Sequence, residues 1–238
     1  MIRLHTVLLQ VAILLTATAL WSPWFGTNAA AARQENLPPV EVGAGPIGEP
    51  SLRLIGRLAY LPDRVEMYGF LTAATNLDVT ALFTDAQPSV VSARFTFRAE
   101  LTVDNRETRA DVRMLESTGT LEIYQNEGGA TWENLESFAS GQSVARYSMS
   151  LRETLQRQDP TIGVVVGDAA LTQEDAAPFV AGGGDLRFGD AGIVSRLRYT
   201  GALLAGQDSN TSEATVVGFT YVTEREAVPV QMGATTTP

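Results

Sequence analysis

The stretch with the strongest chemical character is AGGGDLRFGDAG, residues 181–192, which holds five glycines, two aspartates and one arginine. Glycines at this spacing form a phosphate loop when Lys and Ser or Thr follow, but Asp190 and Ala191 follow here, and the aspartate would repel an anion. The stretch also differs from two calcium-binding motifs. The glycine-rich nonapeptide occurs in repeats and the EF-hand loop ends in a glutamate, but neither feature is present here. A weak calcium site at Asp185 and Asp190 is the metal-binding hypothesis that remains.

We interpret residues 181–192 as a flexible connection with a turn at each end. Glycine adopts positive φ without steric cost, so a cluster of glycines is typical of sharp turns between strands. Leu186 and Phe188 are expected to point inward. The stretch would then form a corner of the fold or the rim of a pocket.

The composition excludes most of the common catalytic chemistries. The chain has no cysteine, its single histidine is His5, and its 17 basic residues are all arginine. Once an N-terminal segment with His5 is removed, the chain has no imidazole, thiol or side-chain amine. Ser–His–Asp, Cys–His and lysine-dependent catalysis are therefore excluded. Carboxylates and tyrosines remain for acid–base work, no cofactor is called for, and an enzyme is disfavoured overall.

The elements that must position these side chains are β-strands. Apolar and polar residues alternate in ARFTFRAELTV at 93–103, and again at 144–155 and 193–204. A helix would group apolar residues three and four apart, so the period of two indicates half-buried antiparallel strands. The predicted strands are 51–61, 65–74, 92–104, 108–117, 119–126, 143–157, 161–173, 192–204 and 214–224.

The fold class that this pattern predicts is all-β. We expect a single antiparallel meander of about eight or nine strands that forms a closed, calycin-like or cyclase-like barrel, because closure removes exposed strand edges. A β-sandwich is the alternative, since periodicity does not show closure. Residues 61–64 and 104–107 are predicted hairpins, and residues 75–83 and 131–138 are predicted short helices.

Charged residues recur on the polar side of the alternating strands. They are Arg94, Arg98, Arg146, Arg152, Arg196 and Arg198, together with Glu100, Glu122 and Glu153. A barrel with an apolar core predicts that they form solvent-exposed cross-strand pairs on the outer face. The opposite arrangement, with polar residues lining the lumen and binding an anion, is disfavoured because Phe95, Phe97 and Leu197 would then face water.

A barrel of about eight strands can leave room for one small ligand at its mouth, among aromatic side chains. Inward glycines and alanines would permit a lumen that side chains do not fill. The candidates to line the pocket are Tyr60, Tyr68, Phe70, Phe97, Tyr147 and Tyr199.

The N-terminus has the features of a secretory signal peptide. A short cationic segment precedes the apolar run at residues 7–21, and a helix-breaking Pro23 and several small residues follow the run. This order predicts cleavage after Ala30, Ala31 or Ala32 and therefore export to the periplasm, the cell surface or the medium. An uncleaved N-terminal helix that anchors the protein is the alternative, and membrane contact is expected only in that case.

The rest of the chain is expected to form one domain. The predicted segments are a signal peptide at 1–31, a linker rich in Pro, Gly and Glu at 32–50, the barrel domain at 51–226 and a flexible tail at 227–238. Without the signal peptide, 16 arginines stand against 27 acidic residues, a formal net charge of −11. Such a surface disfavours nucleic acid as a partner.

Three functions are consistent with these features. The preferred one is an exported barrel that binds a small apolar or amphipathic ligand. The alternative is a structural or surface-interaction domain with a packed lumen and no ligand. The third is a cofactor-free isomerase or cyclase that uses carboxylate and tyrosine side chains.

We predict that the exported protein begins at residue 31, 32 or 33. The signal-peptide pattern places cleavage after a small residue in that region. Intact-mass spectrometry of protein purified from the producing cells, outside the cytoplasm, measures the start. A mass that retains Met1 would contradict cleavage and favour the anchored alternative.

Overall fold

The computed structural model describes residues 38–159, 162–204 and 212–225. The predicted signal peptide and C-terminal tail lie outside these ranges. The strands are β1 Val40–Val42, β2 Pro50–Tyr60, β3 Arg64–Ala74, β4 Phe95–Arg109, β5 Val112–Gln125, β6 Gln142–Arg157, β7 Gly163–Ala176, β8 Phe179–Ala181, β9 Gly184–Phe188, β10 Val194–Leu203 and β11 Ser212–Glu224.

Eight of these strands form one closed barrel in the order β10–β11–β2–β3–β4–β5–β6–β7. Every neighbouring pair is antiparallel, and β10 pairs with both β11 and β7, so the ring closes on itself. The prediction of an all-β closed barrel is therefore confirmed, rather than the alternative sandwich. Residues 108–117 and 119–126, predicted as two strands, are largely one continuous strand, β5.

The path of the chain gives the barrel two different ends. At one end, which we call the mouth, β2 leads into β3, β4 into β5, β6 into β7 and β10 into β11. At the opposite end, β1, β9 and β8 form a small sheet in which β1 is parallel to β9. Phe179 of β8 and Phe188 of β9 pack against Phe95 at the start of β4, with ring centroids 5.2 and 5.3 Å from its own. Aromatic side chains thus close this end.

Side chains fill the lumen between the two ends. Alternate residues of each strand point inward, and large rings lie over glycines of neighbouring strands. Phe97 is the cross-strand neighbour of Gly69, and a Cβ atom at Gly69 or Gly56 would lie 2.8 or 2.9 Å from Cζ of Phe97. The cavity lined by Phe97 and Tyr147 has a volume of about 20 Å³, enough for about one water molecule. The interior is therefore a packed core.

The glycine cluster at 181–192 has the predicted turn at each end, but the residues between the two turns form strand β9 rather than a flexible connection. Gly182 and Gly183, both with positive φ, form the turn of the β8–β9 hairpin. Leu186 and Phe188 are buried, as expected for inward-pointing residues. Val42 of β1 is also fully buried and pairs with Phe188, so residues 40–42, predicted as part of the linker, belong to the folded body.

The two predicted hairpins and the two predicted short helices have different outcomes. The hairpin predicted at 104–107 was wrong, because β4 continues through these residues with a bulge and the chain turns at Ala110, which has φ 50°. The hairpin predicted at 61–64 is present. Short helices occur at Val79–Leu82 and Leu135–Ala139, inside or next to the predicted segments. Within the described residues, no helix is long and apolar enough to cross a membrane.

We predict that Gly69→Ala destabilises the barrel. Its Cβ atom would lie 2.1 Å from the backbone oxygen of Ile55 and 2.8 Å from the Phe97 ring, so strand pairing or core packing must shift. Overpacking of this kind lowers the free energy of unfolding by about 1–3 kcal/mol, which urea denaturation measures. Gly184→Ala is the control, because the nearest atom would be 3.7 Å away. Equal denaturation midpoints for the two variants would contradict the packing that we describe.

Candidate functional site

Polar side chains line the barrel mouth, in contrast to the apolar lumen below. The residues around a pocket of about 190 Å³ are Tyr60 of β2, Arg106 of β4, Arg113 of β5, Arg157 of β6, Ser212 of β11, and Leu61 and Pro62 of the β2–β3 turn. We call this pocket the arginine mouth. Three arginines thus line one cavity.

Strand alternation directs the three arginines toward the lumen. Arg113 is the cross-strand neighbour of Leu155, and Arg106 is the neighbour of Leu115. Both leucines are buried in the core. Arg157 follows Leu155 by two residues on β6 and therefore shares its face. The guanidinium groups converge because all three occupy inward positions near the mouth ends of their strands.

Arg113 has unsatisfied hydrogen-bond donors in this pocket. Its guanidinium carbon lies 4.8 Å from the centroid of the Tyr60 ring. Its Nε and Nη2 atoms are buried and have no hydrogen-bond partner among the described residues. Burial above all lowers the pKa of Arg113, and the like charges of Arg106 and Arg157 lower it further. Buried donors next to like charges indicate a place for an anion.

The mouth arginines differ from the outer arginines in their partners. Within the described residues, Arg146, Arg152, Arg196 and Arg198 form ion pairs with carboxylates of neighbouring strands, as expected for the outer face. Arg98 pairs instead with Glu100 of its own strand and Glu136 of the short helix, and Arg94 donates to the carbonyl of Phe83. None of the three mouth arginines forms an ion pair with a carboxylate in that part of the chain. Arg106 donates instead to the carbonyl of Leu61 at 3.2 Å. Among the described residues, the mouth arginines thus lack the direct carboxylate pairs of these outer arginines, although buried Glu153 acts on Arg113 from below.

A buried carboxylate lies deeper in the lumen, four residues before Arg157 on β6. Glu153 is 3% exposed, and its Oε2 accepts a hydrogen bond from the Tyr199 hydroxyl at 2.5 Å. Its Oε1 and the hydroxyl of Tyr60 form no hydrogen bond of normal geometry in the described chain, although the Tyr60 hydroxyl is close enough to act on the carboxyl as a donor. Burial raises the pKa of Glu153, although Tyr199, Tyr60 and Arg113 act to lower it. Burial, and then the charge of Glu153, also raises the pKa of Tyr60.

A glycine lets the Tyr199 ring reach this carboxylate. Tyr199 on β10, Gly167 on β7 and Glu153 on β6 are consecutive cross-strand neighbours. A Cβ atom at Gly167 would lie 2.0 Å from Cζ of Tyr199, so the ring crosses β7 in the space that a side chain would take. Gly167 was not singled out from the sequence, because the consequence of its position depends on strand register.

The structure brings two of the six predicted pocket residues to the mouth. Tyr60 lines the arginine mouth, and Tyr199 reaches the carboxylate beneath it. Phe97 and Tyr147 lie in the lumen, where they help to fill it rather than to line a ligand-sized space. The lumen as described therefore has no room for the small apolar ligand that the sequence suggested.

Tyr68 and Phe70 lie on the outer face of β3, away from the lumen. The Tyr68 ring packs against Phe138 at 5.1 Å and Trp132 at 6.2 Å, and Phe70 packs against Trp132 and Phe83 at 6.2 Å. Segments after β3 and β5 cover this face of the strand. Because β3 is buried on both faces, its apolar residues do not alternate visibly with polar ones, and the sequence did not reveal which side these rings occupy.

Asp185 and Asp190, the aspartates of the calcium hypothesis, do not form a metal site with other described side chains. Asp190 pairs with Arg187 at 2.5 Å, and exposed Asp185 lies on β9 opposite Val180. Among the described residues, no group of three acidic or histidine side chains converges as a metal site would require. Calcium binding here gains no support from the geometry.

Sequence reasoning missed Arg113 and expected Glu153 on the outer face. The latter expectation was wrong, because Glu153 has the parity of buried Tyr147, Met149 and Leu151 on β6. Arg113 has the parity of Leu115 on β5. Strict alternation was thus the signal that could have placed both side chains inside the barrel. We expected them outside because charged residues usually prefer water.

The outer face of β7, β10 and β11 carries a separate groove of about 770 Å³. Val166, Val217 and Phe219 line it and are 54%, 51% and 40% exposed. The ion pair between Arg198 and Asp168, at 2.9 Å, lies beside them. An exposed apolar surface of this kind is typical of sites that contact other molecules.

Comparison with protein-family models, with curated proteins and with solved structures gave no match to this chain. The function is therefore argued from the mouth and its surroundings alone.

We predict that Glu153→Gln removes a pH-dependent loss of stability. The pKa of Glu153 is raised in the folded state, so the folded protein binds the proton more tightly than the unfolded chain. This contribution is complete below the ordinary pKa of 4.5 and is lost as pH rises through the higher folded pKa. The loss amounts to about 1.4 kcal/mol for each pKa unit of the shift.

Urea denaturation of both proteins at a series of pH values measures this difference. The wild type should lose stability relative to Glu153→Gln as pH rises above the ordinary glutamate range, and the curves should then run parallel. Glu107→Gln is the control, since Glu107 is an exposed partner of Arg109 near the mouth. A difference that grows as pH falls would contradict the buried state of Glu153.

Proposed function

We propose that this protein is an exported barrel that binds a small anion in the arginine mouth, with the packed lumen serving as a rigid support. One observation carries the proposal. The Nε and Nη2 groups of Arg113 are buried without acceptors in the described structure, in a pocket shared with Arg106 and Arg157. Buried donors in folded proteins nearly always have a partner, and an anion would supply it.

The chemistry of the pocket favours a compact carboxylate or phosphate. A guanidinium group presents parallel N–H donors that match the two oxygens of such a group. The pocket volume of about 190 Å³ is smaller than that of most drug-sized ligand sites. Leu61 and Pro62 offer a limited apolar wall, so an amphipathic molecule would place its charged group among the arginines.

Electrostatics on the larger scale makes the mouth selective. The chain without its predicted signal peptide has a formal net charge of −11, so most of the surface repels anions. A low-dielectric cleft that concentrates one sign of charge focuses the field and attracts its counter-ion there. An anion would therefore be drawn to the mouth rather than to outer arginines such as Arg152 and Arg196, which already have carboxylate partners.

Export supports this function but rests on the N-terminal sequence alone. An exported domain without disulfides must be held together by its core alone, and the closed, packed barrel would meet that need. The proposal of cleavage and export is tested by the mass measurement described above.

Surface interaction is the second candidate function. The packed lumen and the exposed groove at Val166, Val217 and Phe219 favour it. Cofactor-free catalysis ranks third. Glu153 and its two tyrosines are suitable residue types, but the carboxyl is 3% exposed and Tyr60 is also 3% exposed, so neither is open to a substrate in this structure.

We predict that Arg113→Gln abolishes or strongly weakens anion binding. Loss of charge-assisted hydrogen bonds worth about 1.5–3 kcal/mol lowers affinity roughly tenfold to 100-fold. Isothermal titration calorimetry with sulfate, phosphate and succinate at constant ionic strength measures the dissociation constant. Circular dichroism and urea denaturation establish that the variant is folded.

Arg109→Gln is the matched control for this experiment. Arg109 lies on the same β4–β5 hairpin but is exposed and paired with Glu107 at 2.5 Å. This variant should bind anions as the wild type does. Equal weakening in both variants would reduce the effect to general surface charge, and a wild type that binds none of the three anions would overturn the proposal and favour surface interaction.

A further inference from the structure

We propose that the arginine mouth binds its anion together with a proton, which Glu153 takes up beneath the site. This inference rests on the proposed anion-binding function and adds a regulation to it. The geometry that carries it is a buried carboxylate with one unpartnered oxygen, on the inner side of a pocket with unpartnered guanidinium donors. Protonation would remove the charge of the buried carboxylate, and a bound anion would supply acceptors for the guanidinium donors of Arg113.

Side chains from three other strands face Glu153. Tyr60 approaches from β2, Arg113 from β5 and Tyr199 from β10, and all three act on the carboxyl. On β7 its cross-strand neighbour is Gly167, which brings no charge. Arg113 is thus the one cation among these groups, and it is also the residue with free donors toward the mouth.

Ionised Glu153 and a bound anion would compete for the positive charge of Arg113. An ionised Glu153 attracts the Arg113 guanidinium and partly cancels its field, and it repels any anion that enters the mouth. A protonated Glu153 does neither, so the three arginines act on the anion without opposition. In a site of low effective dielectric, a charge at this depth is weakly screened by solvent.

Proton uptake by Glu153 and anion binding are thermodynamically linked. If protonation of Glu153 tightens anion binding by a given factor, anion binding must favour protonation by the same factor. Burial already raises the pKa of Glu153, so a bound anion would raise it further toward neutral pH. Coupling free energies between sites correspond to about five- to 150-fold in affinity. The site would therefore hold its anion in acidic surroundings and release it as pH rises.

The experiment measures sulfate affinity between about pH 4 and pH 8, a range that spans the ordinary and raised values for a carboxyl group. Sulfate is chosen because it keeps its double charge throughout, so a change in affinity comes from the protein. Wild-type affinity should fall about fivefold or more as pH rises. Titrations in buffers of different ionisation enthalpy should also show proton uptake on binding.

Three variants assign the effect to its residues. Glu153→Gln should lose most of the fall in sulfate affinity and keep only the smaller part that comes from titration of exposed carboxylates. Tyr199→Phe removes the hydrogen bond that lowers the pKa of Glu153, so the fall in affinity should move to higher pH. Glu107→Gln, an exposed carboxylate near the mouth, should keep the wild-type profile.

The outcomes separate this inference from the proposed function. Wild-type binding that does not change with pH, or a fall that Glu153→Gln retains in full, overturns the proton coupling and leaves anion binding in place. Absence of wild-type binding at all pH values overturns both. If Glu153→Gln does not fold, the direction of the shift in Tyr199→Phe decides the question, and an unshifted profile contradicts the inference.

Discussion

Closure of the barrel is the constraint on which the rest of the structure depends. Eight strands that form a ring have one interior, and every second residue of each strand must share it. Large rings fit because glycines face them, as Gly69 and Gly56 face Phe97 and Gly167 faces Tyr199. Uncharged polar side chains such as Gln173, Ser195 and Thr220 share the lumen with apolar ones, whereas the inward charged side chains lie at or just below the mouth, where the lumen meets solvent.

The buried polar group at the mouth runs against the rules that stabilise a core. A carboxylate, two tyrosines and an arginine occupy inward positions, and several of their polar atoms lack partners in the described structure. Burial of unsatisfied polar atoms costs stability, and an apolar residue at position 153 would avoid that cost. Local departures from good packing and pairing occur most often where a protein performs its function. This is the reason why we place the function at the mouth rather than in the lumen.

The architecture could be predicted from the sequence further than the site could. Alternation over 93–103 and 144–155 established antiparallel strands, and the need to remove edges favoured closure, which the structure confirms. Arg113 and Glu153 obey the same alternation, yet the general preference of charged residues for solvent pointed the other way. The prediction for Tyr68 and Phe70 was wrong for the opposite reason. Because β3 is largely apolar on both faces, its sequence does not show which residues point inward. The role of Gly167 depends on the register of three strands, which no local pattern contains.

The central claim is that an anion binds among Arg106, Arg113 and Arg157. Anomalous X-ray diffraction from crystals soaked in selenate tests it most directly, because the selenium position is located independently of the protein chain. We expect the strongest anomalous peak in the mouth, within hydrogen-bonding distance of Nε or Nη2 of Arg113. Peaks confined to outer arginines such as Arg152 and Arg196, with none in the mouth, would contradict the account.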